Sequence, residues 1–264
     1  MTLPENETLL FGTLLAFAAA ATLGSVAIFY GVEFALRSRA RIYDVPLREG
    51  QIAREITGNL LFVAIFAAGM TLVFMQGRVP LAEFSWGGAV LSFVGPLVVF
   101  DVYYYAIHAA MHTKWGAAFH RWHHASRVNT PWSAFSMSPA EAVLWVIGVA
   151  LWPMLTAGTL PFVLEGYVAW LVFFFFSNTM GHVNVEFVPA WVSSTKIGSM
   201  ASHGIIYHAM HHSRYQKHLC FFMNGLDTAF GQVWDDYPEM HRRVVEGEPL
   251  TALGQRGDGA SPPA

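Results

Sequence analysis

Charge is what this sequence has least of. Asp, Glu, Lys and Arg together make up 12% of its 264 residues, about half the roughly 25% of an average soluble domain, which argues against a water-soluble globule. The charge that remains is balanced, with 15 Lys+Arg against 18 Asp+Glu, so no basic surface is left for a polyanion and nucleic-acid binding is excluded. Cysteine is nearly missing as well. The lone Cys220 excludes an internal disulfide framework, a Cys-rich zinc site and a cysteine-ligated iron-sulfur cluster held by this chain alone. There is no Gly-rich dinucleotide fingerprint, no sign of a fused redox domain and no internal repeat.

Apolar residues fill the space, at 54% of the chain with 15% aromatic. A bilayer core of about 30 Å requires roughly 20 apolar residues in a helix. Residues 8–32, 57–77 and 142–164 contain no Asp, Glu, Lys or Arg, and each is long enough to span. Residues 85–100, continuing through Asp101 toward His108, and 166–185 are shorter or end in histidine. The last of these follows the run before it after a turn around Pro161, as a hairpin that is either full-length or re-entrant. The expectation is an all-α membrane protein with four or five transmembrane helices.

Arg37, Arg39, Arg41, Arg48 and Arg54 crowd the first loop and only Arg78 falls in the second, so the first loop is expected in the cytoplasm. Threaded from there with five spans, 14 of the 15 bases, the 108–139 segment and everything after His182 share the cytoplasmic side. Glu5 and Glu7, with no base before them, disfavour a removable signal peptide, so the first run is read as a retained anchor. Ser138-Pro139-Ala140-Glu141 has the pattern of a helix start and makes Glu141 a cap rather than a catalytic base. Residues 1–246 read as one membrane-embedded domain, and 247–264, rich in Gly, Pro, Ser and Ala, as a mobile tail.

Histidine is the residue in excess, 12 in all. They fall as His108-x-x-x-His112, His120-x-x-His123-His124, His182 alone, and His208-x-x-His211-His212, with His203, His218 and His241 apart. On a helix, positions three and four apart lie within about 60° of each other, so each box projects its imidazoles from one side. Nine neutral imidazoles beside a membrane are difficult to satisfy as ordinary core residues, whereas a metal centre uses their lone pairs. The number suits two ions with four or five imidazoles each. Ligand softness allows iron, zinc or copper.

The HxxxH, HxxHH, H, HxxHH pattern resembles the fatty acid hydroxylase and sterol desaturase superfamily, over residues from about 54 to 231. The resemblance implies a di-iron centre on a cytoplasmic helical cap, held by His108, His112, His120, His123, His124, His182, His208, His211 and His212. It also implies the use of dioxygen and external electrons to hydroxylate or desaturate a C–H bond of a lipid such as a fatty acyl chain or sterol. The electrons would come from a separate reductase with a ferredoxin or cytochrome. Where related sequences often have Asn this chain has His218, and where some hydroxylases carry a further His it has Asn178. His218, His203, Asn178 and Asp101 are therefore candidates for an additional ligand or for groups that brace the ligands. Asp101 either accepts a hydrogen bond from an imidazole, Tyr104 or Tyr105, or clasps helices together. The Phe173 to Phe176 run reads as lipid-facing or packing surface rather than a substrate selector, Cys220 as a buried thiol and His241 as a surface residue. A metal-binding or metal-transport protein without oxygenase activity is the alternative.

Overall fold

A computed structural model describes residues 3–4, 6–76, 79–195, 197–198 and 202–257. Arg78 and residues 258–264, on which two of the expectations above rest, lie outside the described residues. The described chain is all-helical. Five helices make a bundle: α1 (Glu7–Leu36), α2 (Gln51–Met75), α3 (Trp86–Met111), α5 (Pro139–Thr156) and α6 (Leu164–Gly181). Between them and after them come the short α4 (Ala117–His120), α7 (Trp191–Ser194), α8 (Ile205–Arg214), α9 (Gly225–Ala229) and α10 (Tyr237–Val245). Two 3-10 segments lie at His123–Ala125 and Pro131–Phe135.

The helices start where the sequence can feed their unsatisfied amides. Asn6 accepts from Leu9 N at 3.0 Å, Ser85 from Gly88 N at 3.2 Å and Ser138 from Glu141 N at 3.2 Å, so each first turn loses an orphan donor before it enters apolar surroundings. α1, α2, α3 and α5 are each long and apolar enough to cross a membrane. α6 packs against α1 and α3, with Tyr167, Trp170, Phe174 and Phe175 fully buried.

The two ends of the bundle differ. At one end Leu81 pairs with Phe162, and Ser92 Oγ accepts from Val163 N at 2.9 Å, joining the α2–α3 and α5–α6 connections. At the other end Arg41 pairs with Val185 and Tyr43 with Leu250, so the first loop, the 112–138 segment and the chain after α6 form a cap. Its own apolar cluster includes Phe29, Ile42, Tyr43, Val185, Ile206, Met210, Trp234 and Leu250. Residues 247–257, the described part of the expected tail, dock on the cap. Leu250 is fully buried and exchanges backbone hydrogen bonds with Ile42 and Asp44, while Gly257 N donates to Asp236 Oδ2 at 3.0 Å. Composition suggested mobility, but one apolar side chain and a short backbone pairing dock the segment.

Close helix approach rests on glycine. A Cβ on Gly166 of α6 would lie 2.1 Å from the Ala89 carbonyl oxygen of α3, and one on Gly95 would lie 2.1 Å from the Trp152 ring. Backbone cannot yield as a side-chain tip can, so Gly166→Leu is expected to lower stability by about 1–3 kcal/mol or more through overpacking. Gly12→Leu on α1, with nothing within 4 Å, should leave it unchanged. Thermal unfolding of the two variants in detergent checks this.

Candidate metal centre

Nine histidines converge where the bundle meets the cap. His108, His112, His120, His124 and His211 form one group and His123, His182, His208 and His212 a second, and in each group the donor atoms lie within 4.8 Å of one another. The boxes are shared between the groups, which corrects the picture of one box projecting from one side. On α8, each residue turns about 100°, so His208 and His212 fall about 40° apart while His211 points about 60° to the other side. The seam between the groups runs along that helix. In the same way His120 and His124 join the first group and His123 the second, because the chain changes there from α4 to a 3-10 turn.

Hydrogen bonds fix the rings. Nδ1 of His108 donates to Leu219 O at 2.7 Å, of His211 to Lys217 O at 2.7 Å, of His212 to Ser126 O at 2.9 Å, of His182 to Asn178 O at 2.7 Å and of His123 to Ser136 O at 3.3 Å. His120 Nδ1 donates to Glu141 Oε1 at 2.7 Å. A carbonyl or carboxylate can only accept, so these six rings carry their proton on Nδ1 and present a bare Nε2. The bare atoms face one another, His108 to His120 at 3.0 Å and His123 to His182 at 3.3 Å, and no proton remains to bridge them. His211 Nε2 is buried with no hydrogen-bond partner. Burial, with little else, pushes His120 down to about 3. Burial and the neighbouring His120 push His112 to about 3 as well. His124, His208, His211 and His212 are likewise held well below the ordinary histidine range, by burial first and adjacent imidazoles second. Neutral imidazoles with inward lone pairs fit transition-metal ions.

The remaining candidates bring no side chain to either group, although the backbone carbonyl of Asn178 braces His182. His218 is buried, donates from Nδ1 to Tyr207 O at 2.8 Å, accepts at Nε2 from Trp234 N at 3.0 Å and stacks on Tyr207. Both nitrogens are spent. Its φ of 64° lies in the left-handed region that His and Asn tolerate better than most residues. His203 sets its ring nitrogens 3.2 Å from Gly204 O and 3.1 Å from Phe221 O. Asn178 donates from Nδ2 to Ala134 O at 2.8 Å. Asp101 accepts from Phe222 N at 2.8 Å, so it clasps the loop after α8 to α3 and meets no imidazole or tyrosine hydroxyl. His241, expected at the surface, is fully buried between Ser193 Oγ at 2.7 Å and Val188 O at 2.9 Å. Cys220 is a buried free thiol, as expected.

Two acids carry more than the sequence suggested. Glu141 does have its amide capped by Ser138, but its side chain is buried against His120. Glu55 is fully buried, accepting from Gln51 Nε2, Ser126 Oγ and Thr130 Oγ at 2.8, 2.6 and 2.6 Å, and so holds the residue whose carbonyl orients His212. No spacing rule flags Glu55, since two of its three partners, Ser126 and Thr130, lie 71 and 75 residues away. Because His218 touches neither group, His218→Asn is expected to keep the metal content of the wild type and most of its stability. His218→Val, β-branched at a left-handed position and leaving buried Trp234 N and Tyr207 O unpaired, should cost about 1–3 kcal/mol or more. Elemental analysis beside thermal unfolding reads both.

The profile of the family described as fatty acid hydroxylase matches residues 93–232, a stretch that contains all nine histidines. The chain is 28% identical over 219 residues to the very-long-chain aldehyde decarbonylase GL1-4 of Oryza sativa subsp. indica, covering 80% of this chain and 35% of that protein. It is 28% identical over 224 residues to GL1-6 of the same plant, covering 80% and 34%, and 24% identical over 216 residues to the very-long-chain aldehyde decarbonylase CER1 of Arabidopsis thaliana, covering 79% and 34%. The chain thus spans about a third of the length of these relatives. No solved structure matches it. With more than half its length matched by the profile and the histidine groups lying inside the match, the chain belongs to the fatty acid hydroxylase family.

Proposed function

We propose that this chain is a membrane-bound non-haem di-iron oxidoreductase that uses dioxygen and external electrons to oxidise a C–H bond of a lipid, by hydroxylation or desaturation. The observation that carries the reading is the set of inward, unprotonated Nε2 atoms in two groups. His108, His112, His120, His124 and His211 would hold one iron, and His123, His182, His208 and His212 the other. Two irons held there supply the activation of dioxygen that no side-chain acid or base can provide. In hydroxylation one oxygen atom enters the C–H bond and the other leaves as water, with two electrons and two protons drawn from a separate donor protein.

The chain's own residues orient, brace and exclude. Glu141 holds the His120 ring at one angle and keeps its proton on Nδ1, and the carbonyls of Lys217, Leu219, Ser126, Ser136 and Asn178 do the same for five other rings. Such bracing sets ligand basicity and geometry. The relatives' names supply a substrate class, very-long-chain aldehydes, and support an acyl-chain lipid here. Metal transport is the weaker reading, because the histidines sit at an end of the bundle and the carboxylate deeper in α3 is already spent on Phe222 N.

Replacing His124 or His211 by Ala is expected to remove most of one iron and nearly all activity, beyond the roughly 10–100-fold loss typical of changes outside the ligand set. Activity is read by lipid mass spectrometry of cells with and without the protein, as a gain of about 16 or a loss of about 2 mass units. One metal ion per chain in the wild type, or full activity in either variant, would sink the di-iron assignment. We further place the cap in the cytoplasm, on the distribution of arginine and lysine. Single cysteines introduced at Arg78 and Glu248 should label from opposite sides of intact cells. Labelling from one side refutes the orientation.

A further inference from the structure

Among the described residues, cavities of about 300 to 750 Å³ open at several places, and one of them joins an apolar wall to the histidines. The largest, about 750 Å³, is a groove between α2 and α5 lined by Ile65, Leu72, Val146 and Met154 among others. It reaches no imidazole. A second of about 490 Å³ opens on His112, His120 and His124, but Arg48 and Arg121 stand in its mouth and make it unsuited to hydrocarbon. A third, about 330 Å³, is lined by Leu97 of α3, Phe173 of α6 and the 220–223 loop, and it ends on His182 and His208. It therefore touches the four-histidine group alone.

The lining residues fix its direction. Leu97 precedes His108 by about 16 Å of helix and Phe173 precedes His182 by about 13 Å, so the cavity runs down the bundle axis, away from the cap. Val94 and Val98, close to Leu97 on α3, are each 47% exposed, so this stretch of α3 lies at the outside of the bundle. Phe173 stacks toward Phe222 with ring centroids 5.3 Å apart, and Asp101 fixes Phe222 by its backbone amide. The wall is held by a defined contact.

Resting on the proposed lipid oxidation, we infer that this cavity takes the apolar chain of the lipid with its polar-head end at His182 and His208 and its tail between Leu97 and Phe173. The carbons that meet the centre are then those nearest the head, on the four-histidine side. Leu97 and Phe173 become the residues that decide how long or how bulky a chain fits.

Photo-cross-linking of metal-free and metal-loaded protein in detergent tests this without relying on turnover. The probes are a fatty acyl chain with a diazirine near its methyl end, the same chain with the diazirine near its carboxyl end, and a sterol diazirine. The methyl-end probe is expected to label peptides containing Leu97 or Phe173, and the carboxyl-end probe those containing Gly181 to His182 or Ser202 to His208. Labelling in the reverse order, in the α2 and α5 groove, or at no defined place overturns the proposal. Preferential sterol labelling at Leu97 and Phe173 keeps the cavity and its direction and makes the chain a sterol. Leu97→Trp, which fills the deep end, should cut labelling by the methyl-end probe at least 5-fold with metal content unchanged. Unchanged labelling refutes the role of Leu97. If the labelling is as expected but no mass gain or loss is found in the lipids, the oxidation fails and the chain site stands.

Discussion

Bare imidazole nitrogens aimed at one another are the constraint around which the rest of this protein is arranged. A buried acceptor without a partner costs about 1–3 kcal/mol, so the six bare nitrogens would together cost about as much as the whole folding stability of a typical domain, about 5–15 kcal/mol. Lone pairs 3.0 to 3.3 Å apart with no proton between them add repulsion to that cost. Cations held there would reverse the sign of the interaction and tie bundle to cap through the same donors. His108 and His182 belong to the bundle ends, His208 to His212 to the cap, and each of the two histidine groups draws members from both.

What sequence could and could not show follows from the range of the interactions involved. The HxxxH and HxxHH spacings are local, so the nine convergent histidines were legible from helical geometry, and the apolar runs marked the helices that make the bundle. The division of each HxxHH box between two groups was not legible, because it depends on where α8 lies relative to its neighbours. His218 illustrates a subtler failure. Its place six residues after His212 suggested a brace for the ligands or an additional ligand, whereas the structure uses it to close a left-handed turn and to pair with Trp234 N and Tyr207 O. The Asn often found in related sequences fits the same backbone requirement.

Glu141 and Glu55 teach the opposite lesson. A carboxylate three residues after a Ser-Pro start looks complete as a cap, and its amide is indeed capped, yet the side chain is left free to reach His120 across 21 residues of sequence. Glu55 is held among Gln51, Ser126 and Thr130, and through Ser126 it governs the carbonyl that orients His212. Both acids sit where an unpaired charge would be expensive; Glu55 spends both oxygens on its three partners, while Glu141 spends Oε1 on His120 and keeps Oε2 buried without a hydrogen-bond partner. The Leu250 docking belongs to the same class, since a single buried side chain and two backbone hydrogen bonds outweigh a composition that reads as tail.

The segment from Lys217 to Phe222 shows how tightly the centre and its surroundings are coupled. On one side its carbonyls accept from His211 Nδ1 and His108 Nδ1, two members of the five-histidine group. On the other, Cys220, Phe221 and Phe222 line the cavity that ends on the four-histidine group. Asp101 and Asp227 pin the same few residues through the amides of Phe222 and Cys220. A displacement of this strap by a fraction of an ångström would change the cavity wall and lengthen short, charge-free hydrogen bonds to the rings at once, because a packed interior transmits strain rather than absorbing it. The buried Asp101, which from sequence alone divided evenly between a helix clasp and a partner of the ligands, is in this geometry a clasp whose effect reaches the ligands through six residues of backbone.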